Sequence, residues 1–121
     1  MRILVVGAGR VGAKVLLQLR KNPRIKIVTV DPRNSPPAVE DGVIDSVDYH
    51  SELKLGELAE VIRLEKPELV LITTSPEDMA RTGVPGIDLL VEALKGELES
   101  TLGVPIIAVS RTISSHLLKP S

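Results

Sequence analysis

The run Ile3-Leu4-Val5-Val6-Gly7-Ala8-Gly9-Arg10-Val11-Gly12 opens the chain and decides how everything after it is read. Four aliphatic residues, three of them β-branched, suit a short strand buried on both faces. The pattern then changes. From Arg10 to Lys21 the apolar residues Val11, Val15, Leu16 and Leu19 share one helical face, while Lys14, Gln18 and Arg20 lie toward solvent. Between strand and helix the glycines stand at the spacing Gly-x-Gly-x-x-Gly. Gly7 is expected to allow the tight turn, and Gly9 to let a pyrophosphate approach the backbone. Gly12 is expected to let the helix pack close against the strand. The free N–H groups and positive dipole end of such a helix suit phosphate.

Asp31 extends this reading. It follows a second apolar run, Ile25 to Val30, and stands close to 20 residues beyond the glycines, where an acid accepts hydrogen bonds from an adenosine ribose. A carboxylate there repels a 2′-phosphate, so NAD is expected over NADP. Pro32 closes the strand. Arg33 is either a solvated loop residue, the favoured reading, or a partner for a 2′-phosphate. Arg10 is balanced between a phosphate contact and a solvated first turn.

Outward from this core the chain alternates. Asn22-Pro23 stops the first helix, with Asn22 suited to a left-handed cap. Arg33 to Gly42 holds two prolines and reads as a loop, and Val43 to Val47 as a weak third strand. Ser51 is a candidate N-cap for a helix reaching Glu65 with Leu55, Leu58 and Ile62 inward. Leu69 to Thr73 is a fourth strand, Ser75 to Gly86 a loop, Ile87 to Thr101 a helix ending near Gly103, and Pro105 to Val109 a fifth strand. Ser110 to Ser121 has no clean period. Alternating strands and helices imply right-handed βαβ units. The expected architecture is α/β: one Rossmann-like domain over residues 1–121, a doubly wound parallel sheet of about five strands in the order 3-2-1-4-5.

In such sheets ligands lie beyond the carboxyl ends of the strands. Thr73, Thr74 and Ser75 are thereby expected to line the pocket toward the nicotinamide, with capping by Ser75 as the alternative. Asp48 and Tyr49 are candidates to flank the adenine. The cofactor-binding set is therefore Gly7, Ala8, Gly9, Arg10, Val11, Gly12, Asp31, Pro32, Arg33, Thr73, Thr74 and Ser75.

Composition excludes several classes. The 15 basic and 16 acidic residues give a net charge of -1, and Tyr49 is the sole aromatic, so neither the basic footprint nor the stacking platform of a nucleic-acid binder exists. No cysteine is present for disulfide, thiolate or Cys-based zinc chemistry. His50 and His116 lack metal-ligand spacing, so no metal is expected. Tyr49 has Leu53, not lysine, four residues on, and no nucleophile elbow or Gly-Lys-Ser/Thr phosphate loop occurs. No catalytic residue is assigned. No segment reaches the length of a membrane span and no leader is read at the N-terminus, so the expected location is the cytoplasm.

Met1 to Gly12, MRILVVGAGRVG, with Asp31 after the second strand, resembles the KTN or RCK N-terminal domains that regulate potassium channels and transporters. Lys66-Pro67-Glu68-Leu69-Val70-Leu71 is also similar to the cofactor domains of reductases and saccharopine-dehydrogenase-like enzymes. The first resemblance implies that Gly7, Gly9, Arg10, Val11, Gly12 and Asp31, with Thr73 and Thr74, contact NAD(H) or another nucleotide. It also implies a regulatory domain acting through a homo-oligomer or a partner protein. The alternative is a small NAD-dependent oxidoreductase or the cofactor-binding subunit of one.

Overall fold

The computed structural model of the chain describes residues 1–52, 54–73 and 87–109. Strands β1 (Arg2–Val6), β2 (Lys26–Val30), β3 (Leu69–Ile72) and β4 (Ile106–Ala108) form one parallel sheet in the order β2-β1-β3-β4. Helices α1 (Arg10–Arg20), α2 (Pro37–Glu40), α3 (Leu55–Glu65) and α4 (Ile87–Leu102) lie in the connections. The register sets Leu4 beside Val28 and Val70, and Val70 beside Ile106. This row faces Leu58, Val61 and Ile62 of α3 and Leu98 of α4. Ile3, Val5 and Leu71 face the other way, onto Ala13 and Leu16 of α1 and Ala38 of α2. Helices therefore cover both faces, and the buried lengths of the strands are largely aliphatic for that reason. Leu4, Leu16 and Leu58 are at most 1% exposed, and each contributes about 1.5–3 kcal/mol by leaving water. The α/β, Rossmann-like class expected from the sequence is what the chain adopts. No helix among the described residues is long and apolar enough to cross a membrane.

The expected third strand is absent, and with it the order 3-2-1-4-5: four strands keep the sequence 2-1-4-5 of that scheme. Val43 to Val47 turns instead of extending. Its apolar residues Val43, Ile44 and Val47 do not alternate, and Asp45 and Ser46 between them are exposed. The N–H groups of Val43 and Ile44 both reach the Ala38 carbonyl, at 2.9 and 3.2 Å, which ties them to α2 and not to β2. Val43 and Val47 still bury their side chains. What remains of strand pairing is one parallel bridge, Val30 to Tyr49.

Smaller differences have local causes. The proline-rich loop contains α2, whose Pro37 occupies the first turn, where its missing N–H costs nothing. The helix expected from Ser51 begins at Leu55, capped by Lys54 with no side-chain bond. Leu55 is 42% exposed, and Ala59 and Val61 join Leu58 and Ile62 inside. Asn22 is not left-handed; its Oδ1 accepts from the Arg24 N–H at 3.0 Å and closes the turn after α1. The left-handed residue that ends α3 is Lys66 (φ 49°), directly before Pro67. Gly103 (φ 66°) follows α4 as expected.

Candidate functional site

Three residues connect β1 to α1. Gly7 turns the chain with φ 101°, a conformation glycine adopts without a Cβ clash. Its N–H donates to the Val30 carbonyl at 2.7 Å, so the turn is fastened to the end of β2. Gly9 is the N-cap of α1, extended at φ -76°, with no side-chain capping bond. The Ala13 N–H donates to the Gly9 carbonyl at 2.8 Å. The amides ahead of Ala13 therefore stand at the open end of the helical ladder, where an anion is favoured.

Gly12 lies against the underside of this turn. A Cβ on it would overlap the Gly7 carbonyl oxygen and sit 2.8 Å from Thr73 Oγ1. Thr73, just past β3, is fully buried, and its hydroxyl lies 2.8 Å from the Gly7 carbonyl oxygen and 3.1 Å from that of Val6. It therefore supports the glycine turn from below, where the sequence reading placed it on a pocket wall. Thr74 and Ser75, expected beside it, lie outside the described residues. Ala8 and Val11 are buried, while Arg10 and Pro32 are exposed at the rim.

Asp31, the first residue after β2, is 2% exposed and its carboxylate is fully engaged. Oδ2 accepts from the Ala8 N–H at 2.8 Å and Arg33 Nη2 at 2.9 Å. Oδ1 accepts from the Arg33 N–H and Arg33 Nε, both at 2.9 Å. Burial alone would raise the pKa of Asp31. The hydrogen bonds from Arg33 and Ala8, with the charge of Arg33, outweigh it and hold the group below the ordinary aspartate value. The expected ribose acceptor is thus also the anchor of the glycine turn. Two of its four donors belong to the Arg33 side chain, which is 27% exposed, so Arg33 is neither bland nor free in the loop.

Asp48 and Tyr49 face elsewhere. Asp48 Oδ2 accepts from the Thr29 N–H (2.8 Å) and Thr29 hydroxyl (3.1 Å), while the Tyr49 hydroxyl donates to Glu65 Oε2 at 2.6 Å. Both fasten the edge of the sheet. Sequence reasoning also missed a half-open cavity of about 530 Å³ along α1, lined by Arg10, Lys14, Leu17, Arg20, Asp41 and Val43 among others. The recurrence of residues 10, 14 and 17 on one helical face was the available signal.

Fold and turn together define a Rossmann-like α/β domain with a glycine turn at the head of its first helix. No family model matches the chain. Over 92 residues, 76% of its length, it is 32% identical to phosphoribosylamine–glycine ligase of Methanococcus maripaludis (strain C5). The match covers 19% of that protein, so the chain spans about a fifth of the curated relative.

Proposed function

We propose that the chain is an NAD(H)-binding module that acts by changing the state of a dimer or a docked partner. The observation that carries this reading is the assembled turn: Gly7 at φ 101°, Gly12 with no room for a side chain, and buried Asp31 at the end of the adjacent strand. The pyrophosphate would lie on the amides opening α1, and the ribose would compete with Arg33 for Asp31. A regulatory ligand must bind one state of the protein more tightly than the other. The resemblance to KTN and RCK domains supplies ion-transport control as the setting, and a cytoplasmic location goes with it.

Thermal-shift measurement against NAD, NADH, NADP, NADPH, AMP and ATP tests the reading, since a ligand at 100 times its Kd stabilises by about 2.7 kcal/mol. A nicotinamide dinucleotide is expected to give the largest shift. Gly9→Val is expected to abolish that shift with the fold retained, because its side chain would stand where the pyrophosphate approaches. Equal binding by wild type and variant removes the pyrophosphate assignment.

Arg33 decides the choice of dinucleotide. Arg33→Ala leaves two backbone donors on Asp31 and frees acceptor capacity for ribose hydroxyls. The carboxylate, no longer neutralised, then repels a 2′-phosphate, and the ratio of NAD to NADP affinity is expected to rise roughly tenfold. Calorimetric titration of both dinucleotides measures it. An unchanged ratio would mean that the ribose does not meet Asp31.

The likeness to part of a ligase favours a second reading, a nucleotide-holding segment of a larger enzyme. AMP or ATP shifts exceeding those of every nicotinamide dinucleotide would select it. Sustained NADH oxidation by the isolated chain would instead select a small oxidoreductase.

A further inference from the structure

We propose that the cavity along the outer face of α1 binds a small phosphorylated molecule, at a site separate from the glycine turn. Three cationic residues, Arg10, Lys14 and Arg20, line it with a single acid, Asp41. The chain as a whole carries a net charge of -1, so this excess of positive charge is local. No ion pair among the described residues engages any of the three, whereas Arg33, Lys54 and Arg63 are each paired with a neighbouring acid.

The geometry selects a monoester. Arg10 and Lys14 are one helical turn apart on the same face, about 6 Å along the axis, a spacing that brackets one phosphate group. Leu17 continues that face and is 48% exposed, with buried Val43 opposite, so the cavity continues as an apolar surface able to carry the body of the ligand. Arg20 spans the cleft to donate to the Val43 carbonyl, which fixes the separation of the two walls before any ligand arrives. One carbonyl uses one of five guanidinium donors, leaving the others for the ligand. Asp41 on the facing wall suits a hydroxyl. A volume of about 530 Å³ is ample for a small phosphorylated molecule and is within the range of small-molecule sites.

Glycerol 3-phosphate, with glycerol and inorganic phosphate alongside, tests the site on the full chain by amide chemical-shift mapping. Saturable shifts are expected at residues 10–20 and 41–43 with glycerol 3-phosphate, weaker ones with phosphate and none with glycerol. Lys14→Glu is expected to weaken binding roughly tenfold, since it removes a charge-assisted bond and adds a repulsion. Lys26→Glu makes the same charge change at an exposed position on β2 and is expected to leave affinity within roughly twofold. Absence of saturable shifts overturns the proposal. So do shifts centred on residues 7–9 and 31, which would put the phosphate on the glycine turn, or an equal loss from Lys26→Glu, which would mean non-specific attraction. The inference does not depend on the dinucleotide reading, and a chain that ignores NADH but shows the α1 shifts retains it.

Discussion

Gly12→Ala is expected to destabilise the domain by about 3 kcal/mol, the upper end of what overpacking costs, and to lower its Tm by roughly 10 °C. Two effects oppose each other at this position. Alanine is favoured over glycine inside a helix by about 1 kcal/mol. Against this, the new Cβ would overlap the Gly7 carbonyl oxygen and sit 2.9 Å from the carbonyl carbon behind it. Neither is the end of a flexible side chain. Relief requires α1 to move away from β1, and Leu16, fully buried on the same helix, would be drawn out of its packing. Sterics therefore win. Gly96→Ala isolates the propensity effect, because a Cβ there meets nothing within 4 Å on the exposed side of α4. That variant is expected to gain about 0.5–1 kcal/mol. Urea unfolding of both variants measures the contrast, and equal stability of Gly12→Ala and wild type would mean that the helix does not sit this close to the turn.

The second large effect belongs to Asp31. Asp31→Asn keeps one acceptor oxygen and replaces the other with an amide that faces either the Ala8 N–H and Arg33 Nη2 or the Arg33 N–H and Nε, donors in both cases. A buried donor loses its partner whichever way the amide turns, at a cost of about 2–3 kcal/mol near neutral pH. The pH dependence follows from the direction of the pKa shift. The folded-state pKa lies below the ordinary aspartate value that the unfolded chain keeps. The unfolded chain accordingly takes up a proton first as pH falls. The stabilisation from Asp31 is complete well above pH 3.8 and is lost below it, through the lower folded-state pKa. Urea midpoints for wild type and variant are therefore expected to differ most near pH 7 and to converge as the pH falls through the lowered folded-state pKa. A constant gap across that range would show that the carboxylate charge contributes nothing to the fold.

The elements legible in sequence were those with a clean period or a positional glycine. Ile3 to Val6 and Leu69 to Ile72 are unbroken apolar runs too short for helices, and the α1 face keeps a helical period. Gly12 could be placed because close packing of helix and strand excludes a side chain there. Val43 to Val47 was misread because burial was taken for extension: Val43 and Val47 are anchored inside, but their spacing belongs to a turn. The site was harder. A sequence shows that Asp31 stands after a strand, but not that Ala8 and Arg33 converge on it from both sides. Thr73 was placed in the right neighbourhood with the wrong direction, since one residue past the strand its hydroxyl turns inward under Gly7. One wall of the cavity, the face carrying residues 10, 14 and 17, is legible, but the other depends on residues 41–43 folding back along α1, a long-range contact with no local signature.

The absence of the expected third strand leaves β2 outermost on its side of the sheet, the usual place for one molecule to add a strand to another. Here the donors and acceptors in the carboxyl half of that strand are already committed within the chain. The Thr29 N–H goes to Asp48 Oδ2, the Thr29 carbonyl takes the Tyr49 N–H at 3.0 Å, and the Asp31 N–H goes to the Tyr49 carbonyl at 3.0 Å. An incoming chain meets no open ladder there. Two residues thus do the protective work of a strand without being one, and that border of the sheet resists the runaway edge pairing that leads to aggregates.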